Sequence, residues 1–204
     1  MTEERPGFVT GIIDDLTYVY SDSFSPQEVQ ETVIGVWNRA KDAPIALHLP
    51  VLIRSRSREL LIARAQAEGR IPKRIPEILF ICVRNEGRSQ LAAALAEHLS
   101  GHRVHVRSAG THPTGEVSPI TVQALAERGI SLDAPYPKPV HTSVVDAADV
   151  VVTMGVRQDE AAFPGKRYEH WDVPDPAGQP IEAVRDIRDD LQARVTRLLR
   201  EILD

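Results

Sequence analysis

Residues 78–89 read Ile78-Leu79-Phe80-Ile81-Cys82-Val83-Arg84-Asn85-Glu86-Gly87-Arg88-Ser89. The first part is a short apolar run with β-branched and aromatic residues, which is typical of a buried strand. The second part is polar, and a new apolar pattern with helical spacing follows it at Leu91, Ala94, Leu95 and Leu99. This order predicts a strand, a loop and a helix. Cys82 would then lie at the carboxyl end of the strand, where open α/β sheets bind ligands.

The predicted loop has the composition of an oxyanion site. Its spacing from Cys82 to Arg88 lets backbone N–H groups surround an anion while the guanidinium binds two of its oxygens. The helix N-terminus adds positive potential, and the same field stabilises a thiolate, so we expect Cys82 to be a nucleophile. Asn85 is expected to hold the loop through its amide, and Ser89 to donate a hydrogen bond to the sulfur. The expected oxyanion-binding residues are Val83, Arg84, Asn85, Glu86, Gly87, Arg88 and Ser89.

A cysteine at the end of a strand is more often a small buried hydrophobe than a nucleophile. The pattern C-x-x-N-x-G-R-S at a strand-to-helix junction favours the catalytic interpretation of Cys82 instead. The chain contains 1 Cys, so it cannot form an intrachain disulfide.

The segment 68–76 contains glycine, two prolines and three basic residues, and indicates a linker between two regions. Before it, apolar residues recur at helical spacing in three stripes, and Ser25, Pro26 and Glu28 form the start signal of the second helix. We therefore predict a helical bundle at 1–74 and a second domain at 75–204. The three stripes contain Val9, Ile12, Ile13, Leu16 and Tyr20; Val29, Val33, Val36, Trp37 and Ala40; and Leu49, Ile53, Leu60, Ala63 and Ala67.

The second region alternates short strands with helices, which predicts an α/β domain with a four-stranded parallel sheet flanked by helices. The expected strands are 78–82, 104–108, 149–154 and 167–171. The expected helices are 89–100, 121–128, 157–163 and 181–203. The second of these helices follows the cap Ser118-Pro119 and stops at Gly129.

Composition excludes several classes of function. The formal net charge of -5 argues against a general nucleic-acid binder, and the run 54–58, which alternates arginine and serine, is better explained as a solvated helix face. The apolar runs are too short for a membrane span, and the N-terminus lacks a signal-peptide pattern, so we expect a cytoplasmic protein. His98, His102 and His105 indicate a solvated turn rather than a metal site. The N-terminal stripes would equally suit a dimer face, which leaves homo-oligomerisation open.

The loop from Cys82 to Ser89 resembles that of the low-molecular-weight tyrosine-phosphatase superfamily, which includes arsenate reductases. The resemblance covers about residues 77–204, and further matches are Ser108 to Thr111, Ser118 to Ile130, and Asp175-Pro176. It implies that Asp175 is the general acid, with Cys82 and Arg88 as its catalytic partners. Taken alone, Asp175-Pro176 would be interpreted as a turn.

Within the superfamily, the sequence is similar to the arsenate-reductase branch. Phosphatases of the family typically carry an aromatic residue after Asp-Pro, where this chain has Ala177-Gly178. The loop through Gln90 is similar to that of reductases that draw on a low-molecular-weight thiol. The resemblance implies arsenate as substrate, mycothiol as co-substrate, the glutaredoxin-like mycoredoxin as partner, and no bound cofactor or metal. Two alternatives remain open, a protein-tyrosine phosphatase and an oxyanion-sensing regulatory protein.

Overall fold

The computed structural model of the chain describes residues 6–41, 49–113, 115–132, 135–156 and 166–204. The chain divides into two compact units, Met1–Pro72 and Lys73–Asp204. The boundary expected from the sequence, after residue 74, differs from this one by Lys73 and Arg74. No helix within the described ranges is both long and apolar enough to cross a membrane.

The first unit contains three helices, α1 (Gly7–Val19), α2 (Pro26–Ala40) and α3 (Leu49–Ala67), and each packs against the other two. The predicted capping box at Ser25 and Glu28 is confirmed, with Ser25 Oγ accepting from the Glu28 N–H. The pKa of Glu28 is lowered to about 2, mainly by its hydrogen bond with Arg70 and then by the Ser25 backbone N–H.

All residues of the predicted stripes except Ala67 are buried or half-buried. Val9, Ile12 and Leu16 are buried, whereas Tyr20 is half-buried. Ala67 is exposed because α3 ends there.

The interpretation of 54–58 as a solvated face was wrong in part. Arg56 is only 6% exposed and its guanidinium pairs with Glu59 at 2.7 Å, and Ser57 is fully buried. The exposed residues of this run are Arg54, Ser55 and Arg58.

The second unit contains a four-stranded sheet in the order β2-β1-β3-β4, and all neighbouring strands are parallel. The predicted α/β fold is therefore confirmed, with strand ends within a few residues of those expected. The strands are β1 (Glu77–Cys82), β2 (His105–Gly110), β3 (Val150–Thr153) and β4 (Arg167–His170).

The helices of this unit are α4 (Arg88–Ser100), α5 (Pro119–Ala126), α6 (Thr142–Ala147) and α7 (Ile181–Leu203). Helix α5 begins and ends earlier than expected, and Gly129 adopts a φ of 72° in the turn after it. The sequence did not predict α6. The helix expected at 157–163 lies outside the described residues.

The core of the second unit lies between the sheet and helices α4 and α7. Phe80 of β1 contacts Trp171 with a centroid distance of 5.8 Å, and both are buried. Leu91 and Leu95 of α4 are buried as predicted, but Leu99 is 36% exposed and so does not belong to the inner face.

The strand order indicates where a binding site lies on the sheet. From β1 the chain crosses to β2 on one side and later to β3 on the other. Such a reversal opens a crevice at the carboxyl end of the first strand, because the connecting loops diverge there. Cys82, the last residue of β1, lies at that end.

We expect a chain that begins at Lys73 to fold without the first unit. Lys73 Nζ pairs with Asp149 at 2.8 Å and also donates to the Ala147 carbonyl, so the second unit holds its own N-terminus. Truncation removes Trp37 and leaves Trp171, which is 2% exposed, as the fluorescence reporter. Cooperative thermal unfolding with blue-shifted emission is expected. Aggregation or non-cooperative melting would show that the second unit depends on the first.

Candidate active site

The nucleophile candidate ends the central strand of the sheet beside a glycine. Cys82 is paired in register with Gly110, the last residue of β2. A Cβ at Gly110 would lie 2.7 Å from the Val83 carbonyl oxygen and 2.9 Å from the Asn85 nitrogen. The loop after Cys82 can therefore pack against β2 only because this position lacks a side chain.

Backbone hydrogen bonds hold the loop from its outer side. The Cys82 carbonyl accepts from the Thr111 N–H at 3.0 Å, and the Val83 carbonyl accepts from the His112 N–H at 2.8 Å. Further along, the Glu86 carbonyl accepts from the Ser118 N–H at 3.0 Å. The chain between β2 and α5 thus fixes the loop conformation through three of its carbonyl groups.

Two donors surround the sulfur. Cys82 is 2% exposed, and its Sγ accepts from the Asn85 backbone N–H at 3.2 Å. Ser89 Oγ, in the first turn of α4, lies 3.0 Å from the same Sγ. Both contacts suit a thiolate, because each places hydrogen-bond donor capacity on the atom that would carry the charge.

The direction of the Ser89 hydrogen bond follows from its neighbours. The Lys138 backbone N–H, which can only donate, lies 2.8 Å from Asn85 Oδ1 and so identifies that atom as an acceptor. Asn85 Nδ2 therefore faces Ser89 Oγ, at 2.7 Å, and donates to it. The Ser89 proton is then available for the sulfur of Cys82.

Asn85 also has an unusual backbone conformation. Its φ is 55°, in the left-handed region that asparagine tolerates better than most residues with a side chain. This conformation turns its N–H towards Sγ of Cys82 while its side chain reaches Ser89. Asn85 is fully buried, so both of these contacts are shielded from water.

Arg88 follows the loop at the start of α4 and meets the Asp175 segment. Its Nη2 lies 3.0 Å from Asp175 Oδ2, and its Nη1 donates to the Val173 carbonyl at 3.4 Å. A Cβ at Gly155 would lie only 2.2 Å from Arg88 Nη1. The guanidinium therefore occupies space that exists because residue 155, which follows β3, is a glycine.

Asp175 makes both the turn contact and the contact across the site. Its Oδ1 accepts from the Ala177 N–H at 3.1 Å, as in a turn, while its Oδ2 bonds Arg88. A Cβ at Gly87 would come within 2.5 Å of Pro176 Cγ, so the Asp175 segment rests directly on the loop. The structure thus brings Cys82, Arg88 and Asp175 to one place.

Two charged loop residues lie at the rim. Arg84 Nε pairs with Glu86 Oε1 at 3.0 Å, and Arg84 Nη2 lies 3.6 Å from Asp175 Oδ2. The side chain of Arg84 is 42% exposed and that of Asp175 is 43% exposed. Ion pairs with this exposure contribute little stability, because water screens them.

Several contributors to the site were not predicted from the sequence, among them Gln90, Gly110, Lys138 and Gly155. Gln90 and Gly110 belong to motifs quoted above, but the sequence did not predict a contact for either residue. Gly155 had only the signal of a glycine directly after a strand, which can mark a close approach of another group.

Outside the loop, His102 pairs with Glu97 at 2.8 Å in an exposed position. Among the described residues, no group of three or more His, Cys, Asp or Glu side chains could hold a metal ion.

The chain is similar to known proteins in sequence and in structure. A family model described as "Low molecular weight phosphotyrosine protein phosphatase" matches residues 77–204. The glutaredoxin arsenate reductase of Synechocystis sp. (strain ATCC 27184 / PCC 6803 / Kazusa) is 30% identical over 129 residues, which cover 62% of this chain and 98% of that protein. A protein-arginine-phosphatase of Bacillus subtilis (strain 168) is 31% identical over 145 residues, with 62% and 96% covered.

A solved structure is similar along almost the whole chain. It is described as the thioredoxin-dependent arsenate reductase of Corynebacterium glutamicum, with a TM-score of 0.87 and 34% identity. The match covers 97% of each of the two chains. The likeness therefore includes the first unit as well as the second.

We expect Gly155→Ala to weaken oxyanion binding at least about tenfold, because the new methyl group would displace the Arg88 guanidinium. Protection of Cys82 against alkylation by inorganic phosphate or arsenate measures this affinity. Gly129→Ala is the matched control, since Gly129 also has a positive φ, 72°, but no atom within 4 Å of its Cβ position. An equal loss in both variants would attribute the effect to backbone strain rather than to Arg88.

Proposed function

Because the chain belongs to the low-molecular-weight phosphotyrosine protein phosphatase family, we propose that it is an arsenate reductase that takes its second thiol from outside the chain. The observation that carries this proposal is the buried Sγ of Cys82. It lies between the Asn85 N–H and the Ser89 hydroxyl, in a loop that ends at Arg88. A thiolate held in an anion-binding loop can attack the centre of a tetrahedral oxyanion.

The Asp175 segment favours arsenate over an aryl phosphate. Asp175-Pro176 is followed by Ala177 and Gly178, so this turn offers no aromatic surface on which a phenyl ring could stack. Two relatives named above are arsenate reductases, which supports the same choice. These relatives belong to the arsenate-reductase branch, which is the branch that the loop of this chain resembles.

In the proposed first step, the Cys82 thiolate attacks the arsenic atom of arsenate. The Arg88 guanidinium and the loop N–H groups bind the arsenate oxygens, and Asp175 protonates the oxygen that leaves as water. A sulfur–arsenic bond forms and an arsenic–oxygen bond breaks, without a change in oxidation state. An incoming thiol can then replace Cys82 at arsenic, which gives a thiol–arsenate adduct and frees the enzyme.

The reduction itself consumes two thiols. Arsenic gains two electrons when one thiol attacks the sulfur of a thiol–arsenate adduct, which releases arsenite and forms one disulfide. The chain contains 1 Cys, so at least one thiol must come from another molecule. We propose mycothiol as the thiol that receives the arsenate, and mycoredoxin as the partner that attacks the adduct. The name of the Synechocystis relative, which includes glutaredoxin, favours a glutaredoxin-like donor.

Thioredoxin is the second candidate donor, because the similar Corynebacterium glutamicum structure is described as thioredoxin-dependent. In this alternative, a thioredoxin thiolate attacks Sγ of Cys82 in its arsenate adduct. Arsenite leaves and a mixed disulfide forms, which the second thioredoxin cysteine resolves. In this route Cys82 is the one thiol that the chain itself supplies, and the two thioredoxin thiols supply the two electrons.

Phosphate-ester or phosphoramidate hydrolysis is the second candidate function. It needs only one thiolate and a general acid, and the chain supplies Cys82 and Asp175 for these roles. The similarity to a protein-arginine-phosphatase supports it.

The proposed reductase reaction belongs to the cytoplasm, where thiols are kept reduced, and would serve arsenic detoxification.

Cys82→Ser should lower arsenate reduction by about a thousandfold or more, because a hydroxyl does not ionise near neutral pH. Arsenite release is the measurement, with p-nitrophenyl phosphate hydrolysis assayed beside it. The thermal midpoint should stay close to that of the parent, since the substitution is nearly isosteric. Phosphate hydrolysis without arsenate reduction in the parent protein would favour the phosphatase.

Arsenite release should continue over many turnovers with mycothiol and mycoredoxin, and should stay at background with thioredoxin and its reductase, because Cys82 alone cannot supply the two electrons of the reduction. Each thiol system is supplied alone, with its reductase and NADPH. Sustained turnover with thioredoxin alone would replace the proposed donor, while the reductase assignment would stand. No turnover with either system would contradict both.

A further inference from the structure

Gln90 is a buried polar residue for which the proposed chemistry has no role so far. It is the third residue of α4, directly after Ser89, and is 5% exposed. Its Nε2 lies 3.1 Å from the Asn85 carbonyl oxygen and 3.2 Å from Asn85 Oδ1. It also lies 3.4 Å from the Tyr136 carbonyl oxygen. All three neighbours are acceptors, so the amide is oriented with its NH₂ group towards Asn85.

We propose that Gln90 is a positioning residue for the Cys82 thiolate, acting through Asn85 and Ser89. The proposal rests on the function proposed above only in taking Cys82 as the nucleophile. Gln90 binds both oxygens of Asn85, Asn85 Nδ2 donates to Ser89 Oγ, and Ser89 is left to donate to Sγ. Each link in this chain is within hydrogen-bond distance and buried.

Gln90 differs from the other group that holds Asn85. The Lys138 N–H binds Asn85 Oδ1 from the segment around residues 135–140, a part of the chain outside α4. Gln90 and Ser89 are successive residues of α4, so Gln90 fixes Asn85 relative to the very helix that carries Ser89. Without Gln90, the distance from Asn85 Nδ2 to Ser89 Oγ would depend on the position of the segment around residues 135–140, which does not belong to α4.

The left-handed conformation of Asn85 gives Gln90 a second effect on the same contact. A residue with a side chain is strained at a φ of 55°, so the local structure must hold it there. Gln90 binds the Asn85 carbonyl oxygen and thereby stabilises the backbone arrangement in which the Asn85 N–H faces Sγ of Cys82. Both donors to the sulfur therefore depend on Gln90.

The test uses alkylation of Cys82 by iodoacetamide. The chain contains 1 Cys, so the alkylation rate reports on this sulfur alone and needs neither arsenate nor a thiol partner. In Gln90→Met the rate at neutral pH should fall about tenfold, because the thiolate loses oriented donors. Equal rates at neutral pH would overturn the proposal.

A double-mutant cycle separates positioning from a general loss of structure. Because Gln90 acts partly through the Ser89 hydroxyl and partly through the Asn85 N–H, Gln90→Met should lower the rate by less than about fivefold in a Ser89→Ala background, against about tenfold in the parent. A full tenfold loss in that background would show that the Ser89 link carries none of the effect and would overturn the proposal.

Matched variants complete the design. Gln123→Met makes the same substitution at an exposed position of α5 and should alkylate at the parent rate. Should Gln90→Met lose the native circular-dichroism spectrum, Gln90→Glu carries the same expectations, because it keeps the volume and removes the NH₂ donors. A parent protein that alkylates readily but does not reduce arsenate would contradict the proposed function and leave the role of Gln90 to be judged on these rates.

Discussion

The amide of Asn85 lies between Ser89 Oγ and the Lys138 N–H, while its own backbone N–H faces Sγ of Cys82. Because the Lys138 N–H can only donate, it fixes which end of the amide points towards Ser89. The proton of Ser89 is directed to the sulfur as a consequence. An orientation imposed by one main-chain group thus passes through two side chains to the candidate nucleophile. The strained φ of Asn85 is the cost of this arrangement.

Close approach is the second constraint on the site. Glycines 87, 110 and 155 lie where a Cβ would come within 3 Å of Pro176, the loop backbone and Arg88, respectively. Gly87 lies in the loop after β1, Gly110 is the last residue of β2 and Gly155 follows β3, and each lets one more segment reach the carboxyl end of β1. A parallel sheet brings these segments to one edge, because its strands all end on the same side. The parallel sheet therefore brings the segments of the site together, and the three glycines leave the space that these segments need.

The two electrons that the reduction requires connect the single cysteine to the proposed function. A phosphatase of this family and an arsenate reductase can share the loop, since both bind a tetrahedral oxyanion. The two differ in what happens after the first attack, because hydrolysis needs water and reduction needs a second thiol. With Cys82 as its one cysteine, the chain can attack the oxyanion but has no thiol of its own to complete a reduction. The identity of the external thiol then decides the physiological reaction.

The sequence alone determined the four strands, most helix positions and the placement of Cys82 and Arg88 at the two ends of one loop between β1 and α4, because short apolar runs, capping residues and a continuous loop motif are local signals. It did not show α6, whose six residues, Thr142–Ala147, are too few for helical periodicity to be recognised. Only the tertiary structure decided that Gln90 holds Asn85, that Gly155 makes room for Arg88, and that Asp175 reaches Arg88 across 87 positions of chain. These contacts join segments far apart in sequence or depend on the direction of a side chain. Such distances are set by the packing of strands and helices, which a one-dimensional pattern does not contain.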